Sequence, residues 1–425
     1  MIRRAILVVA LGCGAAFGQG TDAGKATEAM ARTVMKIWPD GSVLTTRNPG
    51  SWGYEEGVML DGMAAEFERT KDRNEFSYIK TAVDKYVTKD GTIQMNAAGK
   101  AFTTDEHQLD NIELGRAILF VYRQTHEEKY AKAAKFLHEQ LAAQPRTPSG
   151  GYWHKTIYPN QMWLDGAYMA EPFRAEYAAT FHEDKDWDDI AKQFLLMYDH
   201  MRDPKTGLLK HGWDESKKMA WADKETGLSP EVWARAMGWY CMGLVDVLDW
   251  FPKENPQRVK LVTAFKDVMA TVVKYQDPKT GLWWQVMDHS QMSTGMLDND
   301  PRWHNQIALD ELAARDAAWS KDNYTEASAS AMFTYSLSKG FNRGFLPPSY
   351  AANAGKGWSG IQKQFVTKNA DGTVTLTGTV KAAGLGGTPY RSGTYEYYVG
   401  EKTGDNDAKG IGAYLLAGSA MQQAK

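Results

Sequence analysis

Apolar residues recur every three to four positions through most of this chain, the spacing of one buried helical face, and the runs are interrupted by clusters of Gly, Pro, Asn and Asp. The pattern predicts helices near 24–38, 56–70, 74–87, 108–125, 127–142, 163–182, 186–201, 230–250, 257–275, 323–339, 347–363 and 407–422. With long loops after every odd helix, these twelve pair into six hairpins.

A repeated landmark supports the pairing. DPKTGLLKHGWD at 203–214 returns as DPKTGLWWQVMD at 277–288, and looser versions occur at 88–94, 147–155 and 369–376. Each is a glycine turn leading into a β-prone run. The landmark glycines Gly91, Gly150, Gly207, Gly281 and Gly372 stand 59, 57, 74 and 91 residues apart, a degenerate period of about 60. Open solenoids carry repeats of about 34 to 47 residues and polar caps, neither of which is present. The expected architecture is therefore all-α, an (α/α)6 barrel with short β-hairpins in its loops, and 365–380 reads as one such hairpin turning at Asp371-Gly372.

One stretch breaks the amphipathic rule. Asn160 to Tyr177, NQMWLDGAYMAEPFRAEY, is apolar or aromatic almost all the way round a helix, yet Asp165 sits in its middle. Burial among Met162, Trp163, Leu164, Tyr168 and Met169 would raise its pKa and let it hold a proton for donation near neutral pH. The same Asp-Gly pair could instead cap a helix or be satisfied by backbone donors.

Composition narrows the function classes. The chain has 425 residues, 43% hydrophobic and 24% charged, with a net charge of only −3, which gives no electrostatic footprint for nucleic acid. Arg3 and Arg4 precede an apolar run from Ala5 to Phe17, too short to span a membrane, so residues 1–18 read as a secretory leader and 19–425 as a single catalytic domain. The expected location is periplasmic or secreted. Ala10-Leu11-Gly12-Cys13 weakly resembles a lipobox, the alternative in which Cys13 carries a lipid. Removal of the leader leaves Cys241 alone, so stability rests on a large core and not on disulfides. Nothing in the pattern fixes an oligomeric state.

In the six-hairpin register the unusual polar residues gather at one end of the barrel. Asp110, Asp165, Trp233, Arg235, Trp239 and Glu326 fall near the starts of even helices, and His154, Lys155 and His211 in the loops leading to them. Helix N-termini aim free N–H groups at that mouth, which suits an anion. The 15 Trp and 20 Tyr include several beside loop glycines, among them Trp52-Gly53-Tyr54, and Tyr54 joins the candidate ligand-binding set. Aromatic rings beside carboxylates and Arg are how sugars are held. Each residue also has a plainer reading: Arg235 as a surface charge, His211 as a turn residue, Asp110 as an N-cap answered by Glu113 in a capping box, and the Trp residues as core.

Five stretches resemble glycoside hydrolase family 105, the unsaturated rhamnogalacturonyl hydrolases: HQLDNIELGRA at 107–117, WHKTIYPNQMWLDGAYMAEPF at 153–173, HGWDESKKMAWADKETGLSPEVWARAMGWY at 211–240, NYTEASASAMF at 323–333, and GTYEYYVGEKTGDNDAKGIGAYLLA at 393–417. The resemblance implies a six-hairpin barrel, no metal and no cofactor. It further implies Asp165 as general acid/base with Asp110 beside it, and a sugar site formed by Lys155, His211, Trp233, Arg235 and Trp239. The implied partner is an unsaturated uronate oligosaccharide left by a polysaccharide lyase, with no nucleic acid and no membrane span. Protonation of the C4=C5 enol ether at C4, water addition at C5 and collapse of the hemiketal would release the next sugar, so a nucleophile at the anomeric carbon is unnecessary. A glucuronyl-specific relative, a saturated-sugar glycosidase or a non-catalytic glycan-binding protein are the competing readings. The sequence departs from the family by a segment inserted at 289–320, expected to be a loop followed by a helix at the mouth. Its Arg302, Trp303 or His304 would contact the leaving sugar.

Overall fold

Within the described residues each long run of helical periodicity forms a helix. The computed structural model describes residues 14–43, 50–96, 98–100, 102, 107–289 and 323–423. Its main helices are α1 (Gly14–Ile37), α2 (Tyr54–Thr70), α3 (Arg73–Asp84), α4 (Gly115–Thr125), α5 (Glu128–Ala142), α6 (Leu164–Phe181), α7 (Trp187–Met201), α8 (Ala234–Trp250) and α9 (Gln257–Lys274). Beyond the insertion come α10 (Ala327–Asn342), α11 (Ser349–Gln364), the short α12 (Tyr395–Gly400) and α13 (Ala408–Gln422). The expected leader cleavage after Gly18 falls inside α1. The inserted 290–320 stretch, with Arg302, Trp303 and His304, lies outside the described residues; its two ends are held together by Asn323, whose side-chain amide donates to the carbonyls of Val286 (2.8 Å) and His289 (3.2 Å).

The even-numbered expectations become the inner wall. α2, α4, α6, α8, α10 and α13 pack each on the next, and α13 returns to α2, closing the ring; α1, α3, α5, α7, α9 and α11 lie outside it. Inner helices must be buried all round, and α6 and α13 are: every residue of Leu164–Ala178 except Asp165 is buried, as is every residue of Ala408–Met421. Where α2 meets α13 the helices approach through glycine, and a Cβ on Gly412 would lie 2.1 Å from the Val58 carbonyl oxygen. Backbone cannot step aside as a side chain can. Gly412→Ala is expected to cost about 1–3 kcal/mol of stability, read as a lower denaturant midpoint; an unchanged midpoint would mean the ring is looser than its geometry implies.

Backbone links between neighbouring hairpins set the mouth of the barrel. The chain entering one inner helix donates an N–H to the loop that precedes the next: Trp52 to Met95 (2.8 Å), Leu109 to His154 (3.0 Å), Leu164 to His211 (3.0 Å), Ala234 to Gln285 (3.0 Å) and Ala327 to Gly378 (3.1 Å). These links explain two boundary differences. The helix expected from 108 starts at Gly115, because Leu109 is tied to His154 and only a 3-10 turn, Leu109–Asn111, fits before it. The helix expected from 230 starts at Ala234, because Val232 and Trp233 pair with the 286–288 strand-like segment. β1 (Gln161–Trp163) pairs antiparallel with β2 (Gly212–Asp214), and the expected hairpin forms as β3 (Val366–Lys368) and β4 (Val374–Leu376). A further pair, β5 (Thr379–Val380) and β6 (Thr403–Gly404), flanks α12, which periodicity did not reveal. Among the described residues no helix is long and apolar enough to cross a membrane.

Candidate active site

The β1/β2 pairing brings the central Asp to a histidine. Trp163 stands opposite Gly212, so Asp165, two residues on, meets His211, one residue back, with His211 Nε2 3.1 Å from Asp165 Oδ2. The neighbouring link repeats the arrangement one hairpin earlier. Gln108 bridges Lys155, and Asp110 receives Lys155 Nζ at 2.5 Å and His154 Nε2 at 3.3 Å. Aromatic rings join the two pairs: Trp163 stacks on His154 at 4.8 Å and on Tyr158 at 4.6 Å, and lies 5.3 Å from His211. His211 in turn lies 4.9 Å from Trp233.

The structure decides between the alternatives at both carboxylates. α6 is capped by Trp163 with no side-chain hydrogen bond, so Asp165 is not a cap; it lies in the first turn with 14% of its side chain exposed, directed past an otherwise buried wall. No capping box forms at Asp110, and Glu113 is buried with both oxygens lacking a hydrogen-bond partner. Glu326, by contrast, is a cap, accepting from the backbone of Ala329 and Val380 and from the Ser328 hydroxyl.

The expectation that burial raises the Asp165 pKa is overturned for the free protein. Burial does push it up, but the pull of the His211 imidazole, including the hydrogen bond it offers, and that of His154 outweigh that push and hold it below the ordinary carboxylate value. Asp110 is likewise held low: burial raises it, and Lys155 and His154 more than offset the rise. It therefore does not share a proton with Asp165 in this state. His211 is shifted down, because desolvation outweighs the pull of Asp165.

The remaining candidates divide. Trp233 joins the cluster through His211, its indole N–H 3.3 Å from Gln285 Oε1. Arg235 lies behind it, 1% exposed, its guanidinium 4.8 Å from the Trp233 ring and bonded to the Val380 carbonyl, with Nε buried and unbonded. Tyr54, the first residue of α2, is half-buried within reach of the Asp110 and Arg235 charges. Trp239 is not brought to the cluster. It is a turn deeper in the barrel, 1% exposed, with its ring 4.9 Å from Tyr168.

Several residues at the site carried no sequence assignment. Tyr398 places its hydroxyl 2.7 Å from His211 Nδ1. Arg391 donates to the Tyr158 hydroxyl at 2.8 Å and lies 5.7 Å from the Trp163 ring, and among the described residues neither it nor Arg235 forms an ion pair. Both come from the 380–400 segment or its contacts, distant in sequence from the Asp165 hairpin, and no periodicity marks them. Next to the site Glu231, Asp288 and His289 bring ligand-type atoms within 4.8 Å of one another. Lys210 already supplies a cation there, 2.6 Å from Asp288, whose other oxygen accepts from Val232 N–H at 3.0 Å. That network fixes the backbone leading to Trp233.

Comparison with known proteins follows the same lines. The model of Glycosyl Hydrolase Family 88 matches residues 26–299 and 315–425. A solved family 105 glycoside hydrolase from C. acetobutylicum is 35% identical, covering 94% of this chain and 99% of that one, with a TM-score of 0.81. Protein Atu3128 of Agrobacterium fabrum is 32% identical over 255 residues, 59% of this chain and 96% of its own. The unsaturated rhamnogalacturonyl hydrolase YesR of Bacillus subtilis is 25% identical over 244 residues, 56% of this chain and 65% of its own.

Proposed function

The chain belongs to the glycoside hydrolases of families 88 and 105, and from that premise we propose that it releases a 4,5-unsaturated uronic acid from the non-reducing end of lyase-generated rhamnogalacturonan oligosaccharides. The observation that carries the proposal is the asymmetry of the two carboxylates. Asp110 is tied to Lys155 and His154, whereas Asp165 has one edge against His211 and keeps the other part of its side chain open. One free carboxyl group suffices for hydration of an enol ether, which needs a proton delivered to C4 and a proton removed from water. Arg235 and Arg391, which form no ion pair among the described residues, and Lys155 beside the carboxylates suit a uronate. Tyr158, half-buried and backed by Trp163, offers a ring face to the sugar, and Trp163 and Trp233 form the buried wall behind the site. The name of the B. subtilis relative supports rhamnogalacturonan as the source of the oligosaccharide. With residues 1–18 read as a leader, the proposal places the enzyme in the periplasm or outside the cell.

The low pKa of Asp165 in the free protein fits a bound-state switch. A uronate entering beside Asp165 brings a like charge and displaces water, and both favour the protonated carboxyl. The alkaline limb of kcat, which reports the complex, is therefore expected at higher pH than the alkaline limb of kcat/KM, which reports the free enzyme. The assay is the loss of the ultraviolet absorbance of the conjugated double bond in lyase-digested rhamnogalacturonan. No absorbance loss would overturn the function, and coincident limbs would overturn the switch. A saturated nitrophenyl glycoside should remain uncleaved.

A further inference from the structure

The hydroxyl of Tyr398 and the carboxylate of Asp165 stand at opposite edges of one imidazole. His211 Nδ1 is 2.7 Å from Tyr398 Oη and Nε2 is 3.1 Å from Asp165 Oδ2, the second contact bent away from a full hydrogen bond. His211 and Tyr398 are both 0% exposed. We propose that Tyr398 is a positioning residue that holds His211 in the tautomer protonated on Nε2, so that Oδ2 of Asp165 faces an N–H throughout turnover and the reacting proton travels on Oδ1.

A neutral imidazole carries one N–H, and its position is set by what the other nitrogen meets. If Nδ1 carried it, the Tyr398 hydroxyl would have to accept, and its own hydrogen would have no acceptor among the described residues. The unprotonated Nε2 would at the same time face an ionised carboxylate. Both features are costly in a buried site, and both vanish when Tyr398 donates to Nδ1 and Nε2 points its hydrogen at Asp165. Tyr398 is suited to donate because burial keeps it neutral far above its ordinary range. It is itself held in place, stacked at 5.9 Å on Trp233, 5.1 Å from Tyr397, with its carbonyl accepting from Gln285 Nε2 at 3.2 Å.

Other charges face these three residues from the elements packed on them: His154 from the loop before α6, Asp110 from the approach to α4, Arg391 from the loop before α12, Glu231 from the approach to α8 and Asp288 from the segment after α9. None of them lies within bonding distance of Nδ1, so none substitutes for the hydroxyl. Loss of that donor leaves Nδ1 free to take a proton. The imidazolium then formed would keep Asp165 ionised and withdraw the acid form from the reaction.

The inference rests on the hydration reading for its role in turnover, but its first test needs no substrate. In nitrogen-15 spectra of the whole protein labelled at histidine, the lines lost in His211→Gln identify His211. A protonated Nε2 and a bare Nδ1 are expected; a protonated Nδ1, or exchange between the two forms, would overturn the assignment. In Tyr398→Phe, kcat should fall by about 10-fold with KM within about 2-fold, and the alkaline limb of kcat should move down by about one pH unit. A fall in kcat with the limb unmoved would make Tyr398 mere packing and overturn the proposal. Should this variant not fold, the spectrum of the native protein still decides the tautomer. An inactive native enzyme with the expected spectrum would instead count against the substrate and leave the tautomer standing.

Discussion

Replacing Asp165 by Asn is expected to lower kcat by about a hundred- to ten-thousand-fold while leaving KM and stability near those of the parent. The exchange keeps shape and volume in the first turn of α6, where Asp165 makes no capping bond and only one edge meets a partner, His211 Nε2. An amide accepts from that N–H as a carboxylate does, so the fold has little reason to respond. It has no acidic proton to give to C4 and cannot take one from water, so both proton transfers fail together. Asp110→Asn should behave differently: it frees Lys155 and disturbs His154, so binding weakens along with turnover. Steady-state rates on an unsaturated disaccharide, with affinity for the same sugar measured by calorimetry, separate the two. Near-normal turnover in Asp165→Asn would move the acid/base role to another group.

The second large effect is expected in the barrel interior. Arg116 of α4 reaches Asp61 of α2 at 2.7 Å and Asp246 of α8 at 2.9 Å, and its guanidinium lies 5.0 Å from the Tyr168 ring of α6. Asp246 also takes Tyr335 (2.6 Å) and Lys339 (2.7 Å) from α10, so five of the six inner helices meet in one charged cluster. Asp61 is held above its ordinary pKa, chiefly by burial that Arg116 only partly offsets. Arg116→Ala strands Asp61 beside the equally buried Glu113 and should destabilise the protein by about 3–5 kcal/mol. The pH dependence has a definite sign. Carboxyls whose folded pKa is raised bind more protons when folded, so they favour unfolding as pH rises through their range. Without Arg116 the folded pKa of Asp61 climbs further, and the deficit should be widest at neutral pH and shrink in acid. Denaturant melts at several pH values test this; a loss below about 1 kcal/mol at neutral pH would show that the cluster is dispensable.

The two effects bear on the same design. Inner helices that are buried on every side leave few places for charge, and two groups of charges stand out, one in the barrel interior and one at the mouth, beside the Arg174 pairs that tie α6 to Asp186 and Asp189. In the interior Asp61 and Asp246 are paired with Arg116 and shut away; at the mouth one edge of Asp165 stays open. Stability and chemistry thus draw on the same ring of inner helices.

Much of this was open to sequence reading. Helical period, six hairpins and the glycine landmarks fixed the number and order of inner and outer helices, because period and turn chemistry are local properties. The largely apolar character of Asn160 to Tyr177 marked an inner helix and drew attention to Asp165, which of its four charged residues is the one left partly exposed. The gathering of Asp110, Lys155, His211 and Trp233 at one end followed from the same register. Three matters were decided only in three dimensions. The charge state of Asp165 depends on His211, which arrives from the next hairpin through the Leu164–His211 backbone link, and on His154 of its own approach loop, folded back onto Trp163. Trp239 shares a helix face with Arg235, four residues earlier, yet it lies one turn further from the mouth and so packs on Tyr168 in the core. Tyr398 and Arg391 come from the far end of the chain and meet the site only because the ring closes. Local pattern determines which residues can be buried and which helices they form; which charges then stand within a few ångströms of each other is set by how the hairpins pack, and with it the acid–base chemistry of the site.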